Sequence, residues 1–170
     1  MSTVAGAIAA FRDHPAPPEG ATNNPFKLSS TMGQPASSAE ITRAWPDRRL
    51  PEQLVEAWSI AREARLFADT EYGQWGLVLL SPAASAERTE TERRSRPDQY
   101  YLGDLVIGEF LGDQELVVLA DGDGDAGRVL IALPLDDRAD WDLAAADLGE
   151  FLQSYFAHAG DKYWEHMSSD

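Results

Sequence analysis

Two dense apolar runs separated by a loop of glycine and aspartate constrain this fold more than any other part of the sequence. The runs 115–120 (Glu-Leu-Val-Val-Leu-Ala) and 128–133 (Arg-Val-Leu-Ile-Ala-Leu) flank the loop 121–127 (Asp-Gly-Asp-Gly-Asp-Ala-Gly). Short apolar runs bounded by turn residues are typical of buried β-strands, and a glycine-rich loop between two of them is typical of a hairpin. The sequence therefore predicts an antiparallel hairpin over 115–133.

Further strands and helices are predicted on both sides of this hairpin. Apolar runs predict one strand at 77–80 and another over 100–111, centred on 105–107, where Gly108 suggests a bulge. Ser81-Pro82 combines an N-cap residue with a first-turn proline, which is a typical helix start. Helical spacing of apolar residues, capping residues and prolines predict helices over 39–45, from 50–52 to about 65, 82–94 and 141–158.

The length of 170 residues is typical of one domain with a tail. Five prolines lie between residues 13 and 36, and this composition predicts an irregular N-terminal segment over 1–36. The domain is then expected over 37–166, followed by a C-terminal tail at 167–170. Residues 1 to about 24 are expected to contribute little stability, because we find no strand or helix periodicity there.

The negative charge is concentrated in the C-terminal part of the chain. The formal net charge is −15, and residues 97–170 hold 17 acidic and 3 basic side chains. Such a surface repels phosphate backbones, which argues against a nucleic-acid partner. Two interpretations of the charge stay open: it provides solubility, or it forms an acidic face that binds a basic protein.

Cysteine and long apolar segments are both absent from the sequence. The chain has no cysteine, so disulfides, thiol nucleophiles and cysteine-ligated zinc are excluded. No apolar run approaches the ~18 residues of a membrane span, and the N-terminal segment is a poor signal peptide. A cytoplasmic protein without a membrane partner is the expectation.

Several motifs in this chain resemble the SUKH superfamily, of the cell-wall-assembly-regulator type. They are the Leu50-Pro51-Glu52 helix start with Trp58, the segment 72–77 followed by Leu80-Ser81-Pro82, the Gly108 strand, the hairpin over 115–133, and Trp141 followed by 148–152. The resemblance covers about residues 38–165. It implies a single α+β domain, with an antiparallel sheet and flanking helices. Bacterial members are often immunity proteins that neutralise a toxin domain, whereas fungal members are regulatory scaffolds, and no shared catalytic residues carry over to this chain.

Two ligand motifs in the 121–127 loop are incomplete. Gly122, Gly124 and Gly127 match a dinucleotide-binding spacing, but a strand follows where that motif needs a helix N-terminus. Asp121, Asp123 and Asp125 have the spacing of a calcium loop, but alanines stand at the positions of its glycine and its closing glutamate. We therefore predict no cofactor and no metal, and expect calcium to stabilise the protein little.

Partner-binding candidates come from exposed carboxylates and from one aromatic loop. Asp136 and Asp137 belong to an acidic group before a predicted helix, where negative charge also suits the helix dipole. Trp75 lies between two glycines, near Tyr72, and is a candidate binding residue. The full predicted set is Tyr72, Trp75, Asp121, Asp123, Asp125, Asp136 and Asp137.

The favoured function is a non-catalytic binding protein that neutralises a toxin by occluding it, with a basic toxin domain as the partner. A regulatory scaffold without a toxin is one alternative. A small hydrolase or metal-dependent enzyme is another, although no nucleophile with a neighbouring base can be named.

Overall fold

One antiparallel sheet holds the seven strands of the computed structural model, which describes residues 3–46, 48–120 and 127–167. The strands pair in chain order, so each lies beside its neighbour in the sequence. Their bounds are β1 (Leu28–Met32), β2 (Ala64–Asp69), β3 (Leu77–Leu79), β4 (Leu105–Phe110), β5 (Leu116–Ala120), β6 (Arg128–Ala132) and β7 (Asp142–Ala145).

Helices flank this sheet. Their bounds are α1 (Thr3–Asp13), α2 (Ser38–Ala44), α3 (Glu52–Ile60), α4 (Pro82–Ser95) and α5 (Leu148–Ala157), with short 3-10 helices at Arg138–Asp140 and Tyr163–His166. The helices α1, α3 and α5 contact one another and cover what we call the first face of the sheet. The helix α4 contacts β4 and lies over the opposite, second face. This single α+β domain confirms the predicted fold class.

The central strand β5 shows why its sequence is apolar throughout. All five of its residues are buried. Val117 and Leu119 belong to the core of the first face, whereas Leu116 and Val118 belong to the core of the second. Side chains of a strand alternate between the two faces, so a strand covered on both sides needs apolar residues at every position.

The N-terminal segment is more ordered than the sequence analysis expected. Residues 3–13 form α1, and Val4, Ala7, Ile8 and Phe11 are buried in the core of the first face. Their spacing is that of one helix face, a pattern that the proline-rich segment after it conceals. The strand β1 pairs with β2. The irregular segment predicted over 1–36 is therefore wrong for these two elements, and the burial of α1 argues that it stabilises the fold.

The helix predicted over 141–158 is in fact a strand followed by a shorter helix. Residues 142–145 form β7, which pairs with β6. The helix α5 starts only after Asp147, whose carboxylate accepts a hydrogen bond from the Glu150 N–H at 2.8 Å. Glu150 in turn accepts one from the Ala146 N–H. These two hydrogen bonds fix the helix start, so Asp147 is the N-cap of α5.

The other predicted elements agree with the structure apart from some ends. Ser37 caps α2 and Ser81 caps α4, each accepting a backbone N–H. The predicted hairpin is present as β5 paired with β6. The helix α3 ends at Ile60, several residues before its predicted end. None of the helices in the described ranges is long and apolar enough to cross a membrane.

Candidate protein-binding surface

The β2–β3 loop, which carries Tyr72, is held by one buried carboxylate. Asp69 accepts hydrogen bonds from the N–H groups of Glu71, Tyr72 and Gln74 at 3.0–3.1 Å. Burial raises the pKa of Asp69, but the three backbone donors outweigh this and hold the pKa below its usual value. The loop is thus ordered, and the ring of Tyr72 projects from it into solvent.

Trp75, at the end of the same loop, is anchored to the C-terminal part of the chain. Its indole N–H donates to the carbonyl of Gly160 at 3.2 Å, and its ring packs against the core of the first face. The neighbouring β4–β5 turn docks on this loop. Gly112 has φ +90° there, and a Cβ at this position would lie 2.0 Å from the Gln74 carbonyl oxygen. Trp75 is therefore half-buried and mainly structural.

A buried lysine lies beside Trp75. The Lys162 ammonium donates to the carboxylates of Asp113 and Glu115, and lies 5.3 Å from the Trp75 ring centroid and 5.0 Å from that of Phe110. Burial lowers the pKa of Lys162, but the two carboxylates outweigh it and raise the pKa above its usual value. This amine stays protonated and acts as a structural cation, since a nucleophile or base would need a lowered pKa.

A surface cavity of about 520 Å³ opens next to this lysine, lined in part by Trp75, His158, Asp161 and Lys162. The His158 ring stacks on Tyr163, and Thr22 donates to Asp161 at 2.6 Å. Across residues 3–46, 48–120 and 127–167, no three His, Asp or Glu side chains are placed to hold a metal ion. The calcium-like residues Asp121, Asp123 and Asp125 lie outside the described residues, so their predicted role stays a prediction.

Two loops on the second face are locked together by a buried ion pair. Arg138 lies in the β6–β7 loop and forms a bidentate salt bridge with Asp104, in the loop before β4. One of its two N–O distances is 3.1 Å. Both side chains are buried. The same guanidinium lies 3.8 Å from the ring centroid of Tyr101 and donates to the Gln99 carbonyl. Such bidentate pairs combine charge with fixed geometry, so the two loops have defined conformations.

Exposed apolar side chains project from these two locked loops. Leu135 is 95% exposed and Leu102 is 84% exposed, and Tyr101 is also exposed. The carboxylates of Asp136 and Asp137 are exposed beside Leu135. Arg96 and Trp141 donate to the Asp136 carbonyl, and Gln99 donates to the Asp137 carboxylate. We call the group Tyr101, Leu102, Leu135, Asp136 and Asp137 the Tyr101–Leu135 surface.

The structure thus divides the residues that the sequence singled out. Asp136 and Asp137 belong to the Tyr101–Leu135 surface on the second face, whereas Trp75 packs against the core of the first. The sequence analysis missed Tyr101, Leu102 and Leu135. Leu135 had a usable signal, because it stands in a short charged turn that is otherwise polar. Tyr101 and Leu102 were concealed because their segment resembled the start of β4.

No protein-family model matches this chain, and no curated protein is significantly similar to it. The fold and the surfaces described above are therefore the basis for its function.

Proposed function

We propose that this protein is a non-catalytic binding protein that occludes a basic partner protein through the Tyr101–Leu135 surface. The observation that carries the proposal is the pair of almost fully exposed leucines on two loops that a buried ion pair holds together. Exposed apolar residues grouped on ordered loops are typical of interaction sites.

The fixed conformations of the two loops support a role in recognising a partner. A surface that is already fixed before binding loses less conformational entropy when its partner docks. Arg138 bonds Asp104 and also lies over the ring of Tyr101, so an exposed aromatic side chain is held in place by a buried group. Tyrosine is among the side chains that dominate interface energies.

The charge around this surface supports a basic partner. Asp136 and Asp137 are exposed within it, and residues 97–170 carry a net charge of −14. Complementary charge raises the association rate and makes that rate fall with ionic strength. A cytoplasmic immunity protein bound to a basic toxin domain fits this chemistry, and the resemblance to the SUKH superfamily proposes the same role.

The test compares two leucines of the second half of the chain. Leu135→Asp places a charge in the proposed interface, whereas Leu143→Asp places the same charge at a leucine that is 41% exposed on β7. Tagged wild type and both variants are used to capture proteins from the source cells. A basic protein retained by wild type and Leu143→Asp is then purified, and its affinity for each form is measured.

We expect Leu135→Asp to weaken binding by about tenfold or more, and Leu143→Asp to leave it within about threefold. Equal affinity of the two variants would place the interface elsewhere. The immunity role requires in addition that the partner alone stops cell growth and that co-expression with wild type restores it. A partner that binds here without toxicity would make the protein a regulatory scaffold instead.

A further inference from the structure

The two edges of the sheet differ in how they are protected. The strand β7 forms one edge, where the Tyr163–His166 helix packs on it and the Tyr163 hydroxyl donates to the Ala144 carbonyl at 2.8 Å. The strand β1 forms the other edge, and in the part of the chain that the structure describes it pairs with β2 alone. An edge strand of this kind presents backbone groups with which a further strand can pair.

The pairing of β1 with β2 shows which backbone groups point outwards. At the two ends of β1, the Lys27 carbonyl and the Gly33 N–H both bond to residues that flank β2. Because backbone direction alternates along a strand, the N–H and C=O groups of Leu28, Ser30 and Met32 point away from β2. No other segment within 3–46, 48–120 and 127–167 bonds to these outward groups.

The sequence of β1 lacks the features that usually block pairing at a sheet edge. Its residues, Leu28–Met32, include no charged side chain and no proline. Thr31 is exposed, and Ser29, Ser30 and Met32 are half-buried. Residues 1–96, which include β1, hold 12 acidic and 11 basic side chains, so the excess negative charge of this protein lies elsewhere. Two copies can therefore approach each other at this edge with little charge repulsion.

A second β1 strand, antiparallel and centred on Ser30, would complement this edge. Leu28 of each copy would lie opposite Met32 of the other, and the two Ser30 residues would lie opposite each other. Each of these pairs would exchange two backbone hydrogen bonds. Leu28 and Met32 both face the core of the first face, so the cross-strand pair on that side is apolar.

One pair of opposite charges fits the same register. Lys27 and Gly33 lie one residue beyond the two ends of β1 and would lie opposite each other in the two copies. Both belong to the side of the second face, since side chains alternate and Leu28 faces the first. A Cβ added at Gly33 would collide with the Glu63 carboxylate, so this carboxylate lies over Gly33. Lys27 and Glu63 are exposed, and neither forms an ion pair within the described chain.

We propose that this protein forms a homodimer in which the two β1 strands pair antiparallel about Ser30. The edge takes a second copy of this chain because the register that pairs the outward backbone groups also brings Lys27 of each copy to Glu63 of the other. The contact is identical for both copies, so it closes at a dimer. The strands β2 and β3 separate β1 from β4, and the Tyr101–Leu135 surface stays outside the contact.

The test reverses the charges at the ends of this contact. Lys27→Glu makes each copy more negative and Glu63→Lys makes it less negative, so overall charge would affect the two variants in opposite directions. The double variant restores an opposite pair between copies, whereas within one copy these residues lie at opposite ends of β1 and cannot pair. Arg43→Glu, at an exposed position of α2, is the control for charge reversal elsewhere.

Sedimentation velocity over a concentration series measures the dimer, and amide exchange by NMR at low and high concentration locates it. Two strands of five residues make a contact smaller than a standard interface, so we expect a dissociation constant of about 10–100 µM. Each single reversal at residue 27 or 63 should weaken the dimer about tenfold, although both positions are exposed. The double variant and Arg43→Glu should remain within about threefold of wild type.

The amides of Leu28, Ser30 and Met32 should become protected from exchange as the protein concentration rises. A monomer at every concentration, a dimer without protection of these amides, or single variants that the double variant does not rescue would each overturn the proposal. Protection of the same amides only when another protein binds a monomer would also overturn it, because that protein would then occupy the edge.

Discussion

The two faces of the sheet are held together by different chemistry. On the first face, aromatic rings from helices, strands and the C-terminal 3-10 helix pack on one another; the fully buried ones are Phe11, Phe67, Phe151, Tyr155 and Trp164. On the second face, α4 carries few apolar residues and touches the sheet through polar atoms. The Ser85 hydroxyl donates to the Val106 carbonyl at 2.6 Å, and the Thr89 hydroxyl accepts from the Val106 N–H at 2.8 Å.

The cause of this difference lies at the end of β3. That strand pairs with β4 only as far as Leu79 opposite Gly108, so Val106 has no strand partner on that side. Ser85 and Thr89 of α4 take the place of the missing strand and satisfy both backbone groups of Val106. The first face therefore provides most of the apolar stabilisation, and the second face presents ordered loops whose outer side chains are available for binding.

The largest expected effect tests the stabilising role of the first face. Phe11→Ala should lower the free energy of unfolding by about 3–5 kcal/mol, because it leaves a cavity among buried rings. Phe11 lies 5.0 Å from Phe67 and 5.1 Å from Phe156 between ring centroids. Arg12→Ala, at the exposed neighbouring position of α1, should change it by less than about 0.5 kcal/mol. Urea unfolding measures both. Equal, small effects would mean that α1 is not part of the folded core in solution.

The next effect concerns the ion pair that locks the loops of the second face. Asp104→Ala leaves Arg138 buried without its carboxylate, and should cost about 3 kcal/mol of unfolding free energy. It should also weaken binding at the Tyr101–Leu135 surface, because Asp104 no longer fixes the Arg138 guanidinium that lies over the Tyr101 ring. Asp98→Ala, at an exposed position of the same segment, is the control. If the variant is less stable but binds the partner as well as wild type, then the fixed loop conformations are not needed for binding.

Local sequence signals predicted most of the elements from α2 onwards, but not α1, β1, β2 or β7. The β5–β6 hairpin, the Ser81 cap and the Trp58 core position follow from patterns a few residues long. The predictions for α1 and for the segment after Trp141 were wrong for the same physical reason, because the sequence signals of two neighbouring elements overlap there. The apolar spacing of α1 is followed at once by prolines, and Trp141 precedes a strand that continues into a true helix at Leu148.

The candidate site could be predicted only in part, because it depends on contacts between distant segments. Asp136 and Asp137 were identified from charge alone. Their neighbours Tyr101 and Leu102 lie more than thirty residues earlier, and only the Arg138–Asp104 pair places the two loops together. No local pattern shows that an arginine in one loop bonds an aspartate in another.

A smaller effect tests how α4 is attached to the second face. Thr89→Val keeps the shape of the side chain but leaves the buried N–H of Val106 without an acceptor, which should cost about 2 kcal/mol. Thr91→Val, at an exposed position of α4, makes the same chemical change without that loss. Urea unfolding compares the two. If both variants are as stable as wild type, then the hydrogen bonds of α4 do not replace the missing strand, and the contrast between the faces fails.

The smallest effect concerns the charged cluster of Lys162 at the edge of the first face. Burial raises the pKa of Glu115, and the ammonium of Lys162 only partly offsets it, so the pKa stays above the ordinary value of 4.5. The unfolded chain therefore loses this proton at lower pH than the folded protein does. By linkage, the contribution of Glu115 to the stability of wild type is lost as pH rises from below 4.5 towards the raised pKa.

Glu115→Gln removes that titration, so its stability relative to wild type should increase as pH rises through this window. Glu87→Gln removes the same charge from the exposed side of α4, and is the control for overall charge. Urea unfolding at a series of pH values measures the difference for each variant. A difference that is constant with pH would show that Lys162 balances burial at Glu115, and a change in the opposite direction would show that Lys162 outweighs it. The charged cluster at the edge of the first face would then be stable in its fully ionised form, and the first face would differ less from the polar second face.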